Sequence, residues 1–231
     1  MSYVSLMLVI DMEKSKRKKH FDWFIRCENP CYNVNVRLDV TNVVNFSKKN
    51  NHSFFIDILY VLSEGLHSVE ERRLRLKDDD VVLYDLINPS YTVMTNDDIF
   101  DTCRHIVSHD YVTFYDRATN AISSAKVSVD TSSSFNDRTV VDDFYFSAIP
   151  WVDILSVTHP IPTWSKESMS IPRISWGKYH NNDGKCALTL NMCVNHALVD
   201  GKPLADSILN IEHIIENIDS DSSTIKGWDE I

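Results

Sequence analysis

His196 and Asp200 are the two residues whose types and spacing best suit chemistry. They fall in Asn195-His-Ala-Leu-Val-Asp-Gly201, an imidazole followed four residues later by a carboxylate and then a glycine. An imidazole titrates near neutrality, and its neutral form can take a proton from a hydroxyl group. Taken alone, HxxxDG has two meanings: a general base beside a supporting carboxylate, or a hydrogen-bonded structural histidine at a strand end. Two other chemistries fit the chain poorly. Cys27-x-x-x-Cys31 with His20 lacks the second ligand pair that zinc needs, so no metal is expected. The chain has only five glycines, and none of them forms a phosphate-binding loop.

The flanking segments position this pair. From Lys185 to Asn195 apolar residues (Cys186, Leu188, Leu190, Met192, Val194) alternate with Ala187, Thr189, Asn191, Cys193 and Asn195, the period of a strand with one apolar side. Beyond Gly201 the period changes. Pro203 suits a first helical turn, and Leu204, Ile208, Ile211, Ile215 and Ile218 recur at helical spacing. The imidazole is therefore predicted at the turn between a strand and an amphipathic helix.

Upstream, strands are predicted over 2–11, 32–41, 74–77, 81–85 and 90–95, the last three as a meander. Helices are predicted over 20–26, from a cap at Thr41 or Asn42 through Lys48, over 53–69 and over 111–126. Asp97 to Arg104 is ambiguous, and Val127 to Asp137 reads as a Ser/Thr/Asp-rich loop. Strands are predicted over 144–150 and 152–157, then a proline- and serine-rich loop to Ser170. A strand over 172–179 forms a hairpin with the organising strand through Asn181-Asn182-Asp183-Gly184. The tail from Asp219 to Ile231 is acidic and expected to fray. Strands and helices mix without a βαβα rhythm, so the fold class is α+β, a mixed sheet packed with helices.

Bulk properties narrow the function. At 231 residues with 43% hydrophobic content the chain can bury a sizeable core. A formal net charge of −10 argues against nucleic acid or an anionic membrane as partner. Five cysteines, an odd number, read as free thiols in a reducing compartment. Tyr3 to Ile10 is mostly apolar, but it lacks a basic leading region and a cleavage site, and Asp11 ends it. Asp57 interrupts the longest apolar run, so no spanning helix is expected and the chain is placed in the cytoplasm.

Several segments together resemble the chloramphenicol acetyltransferase family. Cys193-Val-Asn-His-Ala-Leu-Val-Asp-Gly201 is similar to its HHxxxDG signature. Arg17-Lys-Lys-His-Phe21 resembles the Arg-rich start of its first helix. Lys77-Asp-Asp-Asp, Tyr84-Asp85 and Asn88-Pro-Ser-Tyr-Thr-Val93 resemble its central strands, and Ser147-Ala-Ile-Pro-Trp151-Val and Gly177-Lys178-Tyr179 fall at matching places. The segments occur in family order from about Asp11 to Ile218.

The resemblance implies a trimer of two-layer acyltransferase domains with active sites between subunits. It implies one acetyltransferase domain over 1–218 and an acidic tail over 219–231. It further implies acetyl-CoA as cosubstrate and chloramphenicol as hydroxyl acceptor, hence antibiotic resistance. Another hydroxyl acceptor, or a trimeric binding protein without turnover, are the alternatives. His196 matches the general base and Ser147 the donor to the oxyanion. Asp200 and Arg17 match a buried ion pair that shapes the loop. Ser175 matches a threonine that holds a water, Phe24 and Cys31 the acceptor pocket, and Lys178 and Tyr179 a place near CoA. Four positions depart from the family pattern. Asn195 replaces the first histidine, Cys193 a glutamine, Pro203 a histidine, and Phe24 a tyrosine. These bear on the acceptor, because a pocket that loses hydrogen-bonding groups discriminates differently.

Overall fold

The computed structural model describes residues 5–127 and 141–231. In chain order its first half comprises β1 (Met7–Ile10), α1 (Lys18–Phe24), β2 (Cys31–Asp39), α2 (Thr41–Asn50), α3 (Phe54–His67), β3 (Leu74–Lys77), β4 (Asp80–Tyr84), β5 (Asn88–Met94) and β6 (Phe100–Arg104). There follow α4 (Tyr111–Val127), β7 (Asp143–Ile149), α5 (Lys166–Ser170), β8 (Arg173–Gly177), β9 (His180–Asn182), β10 (Lys185–Asn195) and α6 (Gly201–Glu216). The expected loop over 127–137 lies, beyond Val127, outside the described residues.

The alternation along β10 organises the larger sheet. Its strands run in the order β2-β10-β8-β7-β5-β6, with β9 also pairing β10. β10 is antiparallel to β2 and β8, whereas β7 is parallel to both β8 and β5, so the sheet is mixed. Register stacks Leu190 with Val36 and Trp176, and Met192 with Val34 and Ile174, on one face. That face joins the core, where Leu59, Leu62 and Leu66 of α3 and Ile211 of α6 are fully buried. Helix α3 approaches α6 so closely that a Cβ on Gly65 would lie 2.3 Å from Ile211 Cγ1. The opposite face carries the polar half of the alternation: Asn191, Cys193 and Asn195 on β10, Ser175 and Arg173 on β8, Ser147 on β7. These side chains and hydroxyls share one surface because strand neighbours two apart face the same way.

Several sequence expectations change. The meander does not form: β3 and β4 make a small sheet with β1, in the order β1-β4-β3, while β5 belongs to the large sheet. The chain bends between them because buried His67 Nε2 takes the Ile87 N–H at 3.0 Å and Asp142 O takes the Asn88 N–H at 2.8 Å. Residues 152–157 alternate, yet form no strand. β8 already has β7 and β10 on its two edges, and the segment instead covers Gly177, where an added Cβ would lie 2.7 Å from Ile154 Cγ1. Val40, not Thr41 or Asn42, stands at the N-cap of α2, because Thr41 Oγ1 accepts the Cys186 N–H at 2.8 Å. The ambiguous stretch resolves as β6.

The tail is docked rather than frayed. Ile225 is buried in the core, Glu64 Oε2 on α3 accepts the Trp228 N–H at 3.3 Å, and Lys49 Nζ reaches Asp221 at 2.7 Å. No helix among the described residues is long and apolar enough to cross a membrane.

Candidate active site

Arg17 builds the loop that carries His196. Its Nε and Nη2 donate to the two carboxylate oxygens of Asp200 at 3.0 and 2.7 Å. The same guanidinium donates to the backbone carbonyls of His196 at 3.2 Å, Ala197 at 3.1 Å and Leu198 at 2.6 Å. One planar fork therefore binds the side chain and three successive carbonyls of a turn that would otherwise lack partners. Asp200 stands at the N-cap of α6 but makes no side-chain cap bond, its carboxylate being turned to Arg17. The pair is part-buried, with 20% and 34% of the two side chains exposed.

Helix α1 places Phe24 parallel to the His196 ring, 3.8 Å between centroids and 10° between planes. Tyr32 of β2 lies against the imidazole at 4.7 Å. His196 N–H donates to Pro30 O at 2.9 Å, which fixes the backbone. The ring's Nδ1 faces Asp200 Oδ1 at 3.3 Å but out of hydrogen-bond alignment. Asn195 has a structural duty: it accepts the Ala197 N–H at 2.9 Å and donates to Met169 O at 3.4 Å. Cys31 Sγ donates to the same carbonyl at 3.4 Å, which places Cys31 beside Asn195.

A second group of polar residues lines a cleft of about 650 Å³ in the polar face of the sheet. Ser147 and Ser175 are directly paired across β7 and β8. Thr92 of β5 joins them, its Oγ1 3.3 Å from Ser147 Oγ. His159 enters from the loop before α5, with Nε2 2.9 Å from Asn191 Oδ1. Asn191 Nδ2 in turn donates to Asn35 Oδ1 at 2.9 Å and Val157 O at 3.1 Å, so its oxygen is the acceptor and His159 Nε2 the donor. Burial lowers the His159 pKa, despite that bond, and nearby Arg173 lowers it further. Asp143 on the cleft wall is pushed up to about 6 by burial, although Arg104 donates to it at 2.7 Å.

The chain does not bring these two groups together. Ser175 stands opposite Asn191 in the ladder, five positions along β10 from His196. That separates the two backbones by about 17 Å along the strand, at roughly 3.4 Å per residue. Lys178 and Tyr179 lie elsewhere again. Lys178 is exposed, and Tyr179 lines a smaller hollow with Lys48, His52 and Phe54, its ring 5.1 Å from that of Phe54. Among the described residues no group of three or more His, Cys, Asp or Glu is arranged to hold a metal ion.

Sequence reasoning missed Tyr32, Thr92, His159 and Arg173. A signal existed for the face that Thr92 and Arg173 share and His159 meets: the polar half of the β10 alternation, Thr189 to Asn195, has to be buried somewhere. Which distant residues meet it depends on register.

A mixed sheet backed by helices on one face, with an imidazole on a loop at its rim, is an α+β arrangement that solved acetyltransferases share. A solved chloramphenicol acetyltransferase superposes with a TM-score of 0.83 at 24% identity, covering 90% of this chain and 99% of that one. A probable dihydrolipoamide acetyltransferase from Listeria monocytogenes superposes at 0.65 with 13% identity, covering 94% and 97%. The sequence model of the family described as chloramphenicol acetyltransferase matches residues 6–211. A curated chloramphenicol acetyltransferase from Klebsiella sp is 26% identical over 204 residues, 83% of this chain and 86% of the relative. The chain belongs to the chloramphenicol acetyltransferase family and is an acetyltransferase.

Proposed function

We propose that the chain transfers acetyl from acetyl-CoA to a hydroxyl acceptor, chloramphenicol in the first instance, in a ternary complex in the cytoplasm. The observation that carries this is the His196 loop, whose ring is stacked on Phe24 and whose every turn carbonyl is held by Arg17. The Asp200 carboxylate beside Nδ1 favours the tautomer protonated there and leaves the Nε2 lone pair for the acceptor. Nε2 takes the hydroxyl proton as the oxygen attacks the thioester carbonyl. Ser147 donates to the oxyanion that develops, and Ser175 holds a water beside it. The tetrahedral species collapses with expulsion of the CoA thiolate, which receives the proton back from the imidazolium. Phe24 and Cys31 border the acceptor.

The distance between His196 and Ser147 within one chain supports a homotrimer in which the imidazole of one subunit faces the cleft of the next. Trp164 lines the cleft and is exposed, as are Trp151 and Leu155 in the segment after β7, and such apolar side chains suit burial by a neighbour. Lys178 and Tyr179 suit the phosphates and adenine of CoA. Residues 1–218 form the domain, and 219–231 the tail that clasps it.

Thiol release from acetyl-CoA with chloramphenicol as acceptor tests this. Turnover is expected. Turnover only with other hydroxyl compounds would remove chloramphenicol but keep the chemistry, and none with any acceptor would leave a binding protein.

A further inference from the structure

The cleft contains two arginines, and they are matched very differently. Arg104 is neutralised: its Nε donates to Asp143 at 2.7 Å and its Nη2 to Asp142 at 3.1 Å. Arg173, on β8, is 8% exposed and meets no carboxylate among the described residues. Its Nη1 donates to Ile171 O at 3.0 Å, and its Nη2 to Ser168 O at 3.1 Å and Ser168 Oγ at 3.2 Å. The face of Tyr145 lies 5.6 Å from its Cζ. A guanidinium has five N–H donors, so these bonds leave Nε–H and one Nη1 proton without a partner among the described residues. A buried cation neutralised only by dipoles is costly, and the cost is relieved when an anion arrives.

We propose that Arg173 reads an anionic group on the acceptor, and that the preferred acceptor is a hydroxyl compound carrying a carboxylate. The inference rests on acetyl transfer as the activity and names the substrate class. The cleft's volume suits a drug-sized molecule. Tyr145, Pro160, Pro162 and Trp164 receive its body, and Ser147 with Ser175 receives its reacting end. The charge balance selects a monoanion. Arg104 is already paired, and burial and then Arg173 disfavour a charge on His159, so among the described residues lining the cleft no second unpaired cation faces a phosphate dianion. A neutral acceptor leaves the guanidinium buried and uncompensated, which is the larger discriminating effect.

One alternative for Arg173 lies on the same face. Cys193 stands opposite it across the ladder, and its pKa is lowered by Cys31 and, against the opposing effect of burial, by Arg173. If Cys193 is a thiolate, the arginine already has its counter-ion.

N-Benzoyl-L-serine and N-benzoyl-L-serinamide separate these cases, because they share hydroxyl and ring and differ in charge. Calorimetry with this pair reads the cleft with or without turnover, and thiol release reads transfer. In the wild-type protein the acid should bind at least tenfold tighter and show at least a tenfold higher kcat/KM. Arg173→Met should bring both ratios to about one, and Arg173→Lys should retain most of them. Equal binding of acid and amide to the wild-type protein overturns the inference, while turnover of the amide or chloramphenicol would leave acetyl transfer standing. Tighter binding of the acid without any turnover keeps the inference and removes the activity. Thiolate absorbance at 240 nm that is present at pH 7 and lost in Arg173→Met, with equal acid and amide binding, assigns the arginine to Cys193 instead.

Discussion

The His196 loop and the Ser147 cleft reach their geometry by opposite routes. The loop is a turn of irregular backbone, buried except for the partly exposed His196 and Asp200, whose carbonyls converge on a single guanidinium from the other end of the chain. The cleft is regular sheet: Ser147, Ser175, Thr92 and Arg173 are placed by ladder register, and their neighbours are fixed by many backbone bonds. Removing one side chain should therefore deform the loop but leave the cleft's shape unchanged. A site made from one half of each kind divides its vulnerability between chemistry and architecture.

Loss of the imidazole should have the largest effect. His196→Ala should lower kcat by about 10²–10⁴-fold, the usual reach of positioned proton transfer, with unchanged thermal stability. Substantial residual turnover in the thiol-release assay would remove the base from the loop. Ser147→Ala should cost about 10²–10³-fold in kcat, as loss of one oxyanion donor does, also without loss of stability. Co-refolding these two inactive chains would sharpen the comparison. In a cyclic trimer with shared sites, equal mixing should restore activity to about one site in four. No recovery would place both halves within one subunit.

Asp200→Asn should separate the two halves by a different readout. A half-buried ion pair lies between exposed and buried ones, so about 1–3 kcal/mol of stability should be lost along with rate. An unchanged melting temperature would mean that Arg17 holds the loop through the carbonyls alone. The smallest effect belongs to the cleft. His159 has a folded pKa below its unfolded value of about 6.5, so the unfolded chain binds the proton first. Its contribution to stability is present above about pH 6.5 and lost as pH falls below it. His159→Gln should accordingly flatten the fall in melting temperature between pH 7.5 and 5.0, and an equally steep fall would assign the acid sensitivity to other groups.

What could be seen in the sequence follows the same division. His196, Asp200 and the helix after them are contiguous, and the change of period from two to 3.6 places the imidazole without any knowledge of the fold. Arg17 is remote from its partner and is legible only through the family resemblance, as is Ser147. Thr92, His159 and Arg173 were not legible, because parallel pairing of β5 with β7 joins segments some fifty residues apart that carry no mark of each other. Local alternation misled at 152–157, where a good strand pattern had no free sheet edge to join. The acidic tail misleads for a related reason: its composition is that of a frayed end, but Ile225 is buried in the core and the Trp228 N–H finds Glu64 on α3.

The reach of Arg17 has a consequence in time as well as in space. The catalytic turn takes its shape only when a residue near the start of the chain meets a segment about 180 positions later, so closure of that large loop comes among the slower steps of folding. During refolding, catalytic competence should appear after the bulk of the secondary structure, and the enzyme's own turnover then serves as a clock for the final long-range docking event.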